Sequence, residues 1–482
     1  MHVRDDAPLF MRRVLDLVTR AAVTCAPDTT AADVARVMSR EGVGSVIVVA
    51  DGRPLGIVTD RDLRRKIVVH ARDARTTAAR EIMSSPLVSV PADAFVLDAL
   101  VAMTRRGIHH LGVMADGVLR GVVSSSDVLR QELPHPVALS RAITAAASVT
   151  ALQSLAAEVT GVVRRLVTSG ASAYDIGALV AELNDQLVRR VLDLTAASLS
   201  AAGRHPPVPY AWLVFGSEAR REQTLRTDQD NGLVYADAGP GDSAAAAAYY
   251  ARFADAVVAA LVTVGFPPCP GNIMASNPAW CRPLSGWLES FGRWLDHPSP
   301  PEVLAVCIHF DLRPIGGSLA LGEELKTFIT HEAPKRRVFL ALLARDVVSK
   351  RPPMTIFGRV ATRGGRLDVK GAAAMPLAGA ARVDALELGL PEVNTVDRFR
   401  AAGARGVYTA AETEEIADAY RHVLRLRLVH QLAQLDGALE ADNRIDVARL
   451  SRADHLLLRD ALRTVRRVQA GLRGRFRTDM LG

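Results

Sequence analysis

Residues 211–235 read AWLVFGSEARREQTLRTDQDNGLVY, and the reading of this stretch decides the middle of the chain. Ala211 to Phe215 form an unbroken apolar run that ends at Gly216-Ser217, the pattern of a buried strand running into a turn. A short helix follows, carrying Arg220, Arg221 and Glu222. Asp228-Gln229-Asp230 then leads into a second apolar run, Leu233-Val234-Tyr235. Glycine lets a backbone approach a phosphate closely, and amides with a serine hydroxyl at a helix start form an anion site. Asp228 and Asp230 are two apart on an extended segment, so both carboxylates face one side. Two hard oxygen ligands on one side suit Mg2+. Without a cation they repel each other, and at least one pKa rises. A Gly-Ser or an Asp-x-Asp alone is common; the two together at this spacing are far more specific.

This Gly-Ser to Asp-x-Asp arrangement resembles the nucleotidyltransferase superfamily of DNA polymerase β. The resemblance implies two Mg2+ ions held around a nucleoside triphosphate, with a third carboxylate from a later strand. Residues 303–310 read as a β-run with Asp311 at its end, in Ile308-His309-Phe310-Asp311-Leu312-Arg313-Pro314. Asp228, Asp230 and Asp311 are therefore the expected metal ligands and catalytic residues, with Gly216, Ser217 and Arg220 holding phosphates. Asp311 would also help deprotonate the acceptor hydroxyl.

Within the superfamily the chain is more similar to bacterial nucleotidyltransferases joined to CBS pairs, which resemble the nucleotidyltransferase part of PII-protein uridylyltransferases. Gly216, Ser217, Arg220, Glu222, Gln223, Thr227, Asp228, Gln229, Asp230 and Asn231 carry the likeness. It continues through Cys269-Pro270-Gly271, Asn277-Pro278-Ala279-Trp280 and Lys350-Arg351-Pro352-Pro353. Where that family has glycine this chain has Ala219, which adds a methyl close to the expected phosphates. The resemblance implies transfer of a nucleoside monophosphate from NTP to an acceptor hydroxyl, most concretely UMP to a PII-like regulatory protein. The alternative is a non-catalytic, adenine-nucleotide-sensing signalling protein.

Upstream lies an internal repeat. Asp33, Met38, Gly42, Asp51-Gly52, Gly56, Thr59 and Asp62 recur 65 residues later as Asp98, Met103, Gly107, Asp116-Gly117, Gly121, Ser124 and Asp127. Each copy reads as a helix closed by glycine, a strand, an Asp-Gly turn, a second strand and a final helix. This β-α-β-β-α pattern, with Gly-Ile-Val-Thr-Asp-Arg-Asp-Leu at residues 56–63, resembles a pair of CBS domains. Such pairs often bind adenosine nucleotides, so the resemblance makes Thr59, Asp62, Ser124 and Asp127 candidate phosphate and ribose contacts. The same residues also suit capping of the final helices.

The whole reads as an α+β multidomain chain. Residues 15–75 and 76–137 are the CBS pair (β-α-β-β-α repeats), and 138–205 a helical hairpin linker. Residues 206–334 form the polymerase-β-like nucleotidyltransferase α/β domain, and 335–482 a helical substrate-binding bundle. In the linker, residues 139–168 and 173–201 each read as one helix, divided at Ser169-Gly170. In the bundle, Arg427, His430 and Gln431 share one helical turn and stay unassigned.

The net charge is +7, but only five of the 59 basic residues are lysines, and no block of like charge stands out. No nucleic-acid partner is therefore expected. Four scattered cysteines without CxxC spacing argue against a disulfide scaffold or zinc finger and fit a reducing cytosol. Cys269 and Cys281 read as packed thiols. No signal-peptide pattern opens the sequence. Residues 244–266 are its most apolar window, but Arg252 and Asp255 interrupt them, so they read as a buried helix and no membrane is expected. The expectation is a cytoplasmic homodimer joined through its CBS domains.

Overall fold

The computed structural model describes residues 12–18, 20–129, 136–225, 228–355, 357–437, 439 and 441–480. It divides into two compact units: residues 1–141 with 168–171, and residues 142–167 with 172–482.

The first unit is the repeat made physical. The first copy contains β1 (Thr24–Cys25), α1 (Ala31–Glu41), β2 (Ser45–Ala50) and β3 (Arg53–Thr59); the second contains β4 (Ser89–Pro91), α2 (Val96–Arg106), β5 (His110–Ala115) and β6 (Val118–Ser124). Each sheet pairs its first two strands in parallel and its last two antiparallel. Even the bulges correspond, at Val48/Val49 and Val113/Met114. The hairpins turn on Asp51-Gly52 and Asp116-Gly117, all four at positive φ. That is the backbone a two-residue hairpin of this hand requires. Thr30 caps α1 by accepting from the Asp33 amide, and Gly42, left-handed at φ 62°, ends it. Ala31, Val34 and Met38 thereby share one buried face against Val46, Val48 and Val58.

The second unit opens with α3 (Val149–Thr168) and α4 (Ala173–Ala201). The helix expected over 139–168 is broken: Pro136–Ala145 is separate, and Ser148 starts α3 by accepting from the Ala151 amide. Serine at that position competes for backbone groups and restarts the helix. The sheet follows, with strands β7 (Tyr210–Phe215), β8 (Asn231–Tyr235), β9 (Cys281–Pro283) and β10 (Leu312–Gly317) in the order β10-β7-β8-β9. Between β8 and β9 runs α5 (Ser243–Val264), the one described helix long and apolar enough to span a bilayer. It buries Tyr250, Phe253, Val257 and Leu261 at helical spacing, and Tyr250 stacks on Tyr235 at 4.8 Å.

The β-run expected over 303–310 is a correction. Residues Pro300–Val306 are helical and Cys307–Phe310 form a 3-10 turn, so Asp311 precedes β10 rather than ending a strand. Ser299-Pro300-Pro301-Glu302 is a helix-start signal, with proline in the first turn and an acid beside it. It outweighs the β-branched composition of the apolar run.

The C-terminal part is helical, with α6 (Arg337–Ser349), α7 (Met375–Leu388), α8 (Thr395–Ala404), α9 (Ala410–Asp436) and α10 (Arg452–Phe476). It also contains a two-stranded antiparallel ribbon, β11 (Arg366–Asp368) with β12 (Arg444–Asp446).

Candidate active site

The site forms at the end of β7. The amide of Phe215 donates to the Asp230 carbonyl at 2.9 Å, and the next amide, Gly216, donates to the Asp311 carbonyl at 3.0 Å. Two consecutive residues thus bring Asp230 and Asp311, remote in sequence, to the same strand end. Gly216 is required there. Its φ is 57°, and a Cβ would lie 2.8 Å from the Ile308 side chain and 3.7 Å from an Asp230 carboxylate oxygen. The helix after it is a single turn, Gly216–Ala219. Ser217 is half-buried, and Ala219 is 2 % exposed, so its methyl is packed inside.

Asp228-Gln229-Asp230-Asn231 alternates as an extended segment must. Gln229 and Asn231 are buried: Gln229 donates to the Phe266 carbonyl at 3.0 Å, and Asn231 accepts from the Ala275 amide at 2.8 Å. Asp228 is exposed and Asp230 half-buried on the other side. Burial raises the Asp230 pKa and the Asp228 charge adds to the rise, while a hydrogen bond with the Cys269 thiol, Lys370 and Arg220 pull it down. Lys370 stands at the surface, yet crowding by protein atoms and Arg427 lower its pKa against the pull of Asp228, Asp230 and Asp368.

Asp311 lies in the opposite environment. It is fully buried, and both carboxylate oxygens are occupied by arginines. Oδ2 accepts from Arg220 and Arg382, each at 2.6 Å; Oδ1 accepts from Arg382 at 3.0 Å and Arg398 at 2.5 Å. Burial alone would raise its pKa, but Arg382, Arg398 and Arg220 overcome this and hold it well below the carboxylate range. Arg220 also donates to Glu222 at 2.8 Å, and Glu222 accepts from Tyr420 at 2.6 Å and from the Thr395 amide at 2.7 Å. The cage holds three guanidinium groups against two carboxylates. The expected role of Asp311 as an open metal ligand does not match this arrangement, because no lone pair faces away from an arginine donor. Among the described residues no group of three or more His, Cys, Asp or Glu side chains is placed to hold a metal.

Beneath the site, Asp185 of α4 takes a bidentate bond from Arg313 of β10 at 2.6 and 2.9 Å. Arg313 also donates to the Ala219 carbonyl at 3.2 Å, fixing the one-turn helix from below. Burial and then Asp185 push the Glu218 pKa up to about 8. His309 packs between Phe215 and Trp280, and burial lowers its pKa to about 4. Of the unassigned trio, Arg427 donates to Asn443, Gln431 accepts from the Leu225 amide, and His430 pairs with Asp442. Arg226 and Thr227 lie outside the described residues.

In the first unit, Thr59 and Asp62 form a reciprocal capping box, the Thr59 hydroxyl donating to Asp62 at 2.7 Å and accepting from its amide at 3.3 Å. Ser124 and Asp127 repeat it at 2.7 and 3.2 Å. Asp62 also pairs with Lys66 at 2.8 Å.

Sequence reasoning missed Cys269, Lys370, Arg382 and Arg398. Arg382 and Arg398 lie 71 and 87 residues beyond Asp311. Their signal was a guanidinium in an otherwise buried helix: Arg382 sits among Ala378, Ala380, Ala381 and Val383 of α7, all buried. An arginine there demands a carboxylate partner.

Comparisons with known proteins agree with this layout. The CBS domain family model matches residues 14–69 and 79–133. The model described as "Putative nucleotidyltransferase DUF294" matches 157–301, and "Putative nucleotidyltransferase substrate binding domain" matches 337–476. An uncharacterized protein of Methanopyrus kandleri is 37% identical over 125 residues, which are 26% of this chain and 63% of that protein. The mitochondrial CBS domain-containing protein CBSX3 of Arabidopsis thaliana is 36% identical, over 22% of this chain and 54% of its own length. The chain thus spans less than two thirds of these two relatives. It covers 89% of the CBS domain-containing protein YhcV of Bacillus subtilis, at 30% identity over 26% of this chain. A solved CBS domain protein of Pyrobaculum aerophilum, complexed with AMP, is 30% identical over 24% of this chain and 89% of that chain, with a TM-score of 0.23.

Proposed function

This chain belongs to the CBS-domain proteins that carry the DUF294 nucleotidyltransferase module and its substrate-binding domain, and from that premise we propose a Mg2+-dependent transfer of a nucleoside monophosphate from NTP to an acceptor hydroxyl. The observation that carries the reading is the pair Asp228 and Asp230, on one side of an extended segment at the glycine end of β7. Two carboxylates, Asp228 exposed and Asp230 half-buried with a pKa raised by burial and then by the Asp228 charge, fit Mg2+, which binds through one or two carboxylates plus substrate phosphates and keeps several waters. Bound there, Mg2+ supplies charge neutralisation on the triphosphate and acidifies the acceptor hydroxyl.

The chain's own residues do the rest. Gly216 lets the backbone turn beside Asp230 against Ile308, so that its neighbour Ser217 can offer a hydroxyl to a phosphate. Asp228 and Asp230 orient the reacting groups, and Asp230 must be ionised to do so. Asp311 holds Arg220, Arg382 and Arg398 in place behind the glycine, where the excess positive charge of the cage favours a polyanion. The role assigned to Asp311 is therefore positioning. A PII-like regulatory protein is the proposed acceptor and UTP the proposed donor. The CBS pair is proposed to sense an adenine nucleotide, in keeping with the AMP complex of the Pyrobaculum relative. Regulation then requires different ligand affinity in two states.

The test is pyrophosphate release from each NTP with Mg2+, with and without cell lysate. Release that requires Asp228 and Asp230 supports the reading. No release with any NTP leaves the nucleotide-sensor alternative.

A further inference from the structure

A cleft of about 440 Å3 opens in the C-terminal part of the second unit, within the size range of small-molecule sites. Lys350, Arg351, Arg363, Arg366 and Asp368 line it. Gly364 and Gly365 join the lining residues Arg363 and Arg366 as a two-residue turn at φ 60° and 78°. The flanking residues, Arg363 and Arg366, exchange both backbone hydrogen bonds at 3.0 and 3.2 Å, so two arginines stand directly across a hairpin. Like charges in that position destabilise a hairpin. Alternation in β11 buries Leu367 and turns Arg366 and Asp368 outward together.

Among the described residues, Arg351, Arg363 and Arg366 form no ion pair. Asp446, which lies opposite Arg366 in the ribbon, is engaged by Arg449 at 3.3 Å and by the Ala448 amide at 3.0 Å. Lys350 pairs with Asp346 at 2.6 Å, and Asp368 accepts from the Gly371 amide at 3.1 Å. Lys370, which interacts electrostatically with Asp228 and Asp230, lies between two residues of the cleft wall, Asp368 and Gly371.

We propose that this cleft is a phosphate subsite, its arginines, which form no ion pair among the described residues, binding a phosphate-bearing ligand that approaches the Asp228–Asp230 pair past Lys370. The assignment rests on the nucleotidyl-transfer reading and names the chemistry of its substrate. The phosphate belongs to the tail of the NTP or to a phosphorylated acceptor.

Titration of the full chain with inorganic tripolyphosphate in EDTA tests it, since chelation removes any contribution from a cation at Asp228 and Asp230. The double variant R363E/R366E is expected to weaken binding at least tenfold, and R363K/R366K to stay within about threefold of wild type. The single variant R363E is expected to raise Tm, because it replaces a repulsive cross-strand pair with an attractive one. Repeating the titration with a saturating Mg2+ complex of a non-hydrolysable NTP separates the sources. Competition assigns the cleft to the NTP tail, and independent binding assigns it to a phosphorylated acceptor. A folded R363E/R366E that binds tripolyphosphate as wild type does, or a wild type that binds none at millimolar concentration, overturns the proposal. D228N/D230N keeps the two readings apart: it is expected to lose pyrophosphate release and retain tripolyphosphate binding.

Discussion

Asp230 and Asp311 reach the same strand end through adjacent amides, yet the protein treats their carboxylates in opposite ways. Asp230 is half-buried beside a like charge and its pKa rises. Asp311 is fully buried among three arginines and its pKa falls. Sequence proximity to a glycine turn therefore does not fix a carboxylate's role; the charges facing it do. One environment stores repulsion that a cation relieves. The other spends a carboxylate on organising guanidinium groups.

The largest effect should come from Asp311→Ala. Removing one side of a buried ion network leaves the arginines uncompensated and costs about 3–5 kcal/mol. Chemical denaturation should show it as a lower midpoint. Asp230→Asn should behave in reverse: pyrophosphate release falls by at least about 10²-fold, the size seen when one group preorganised for a transition state is removed. Its Tm should hold or rise, because a repulsion has gone. A D230N variant as destabilised as D311A would erase the contrast.

pH separates the pair as well. Asp311 has a folded-state pKa below its unfolded value, so its contribution to stability is present above the ordinary carboxylate pKa of about 3.9 and is lost as pH falls below it. Asp230 has a raised folded-state pKa, so its ionisation opposes folding as pH rises. Activity should climb with pH through that same ionisation, and the acid limb should vanish in D230N. The smallest effect lies in the first unit. Thr59→Ala and Ser124→Ala each remove a helix cap and should cost about 1 kcal/mol, read by thermal melting of the CBS transition.

The CBS repeat was almost wholly legible, because a repeat prints its boundaries twice and glycine marks each turn. The Gly216 turn and the alternation of Asp228 and Asp230 were legible too, being local. The helix over Pro300–Val306 was misread because its apolar residues suit a strand, although Ser299-Pro300 announced a helix. The arginine cage was not legible at all from the catalytic stretch. Arg382 and Arg398 meet Asp311 only through helix packing, and nothing local in their neighbourhood names the partner. Cys269 lay inside a motif already quoted, but its hydrogen bond to Asp230 depends on a loop whose path the sequence does not print.

Mn2+ binding, followed by electron paramagnetic resonance on the full chain with a non-hydrolysable NTP, tests the assignment of the cation to Asp228 and Asp230 rather than Asp311. D228N and D230N should lose high-affinity Mn2+ while a folded D311N retains it. Loss of Mn2+ in folded D311N equal to that in D230N would contradict it and return Asp311 to the cation.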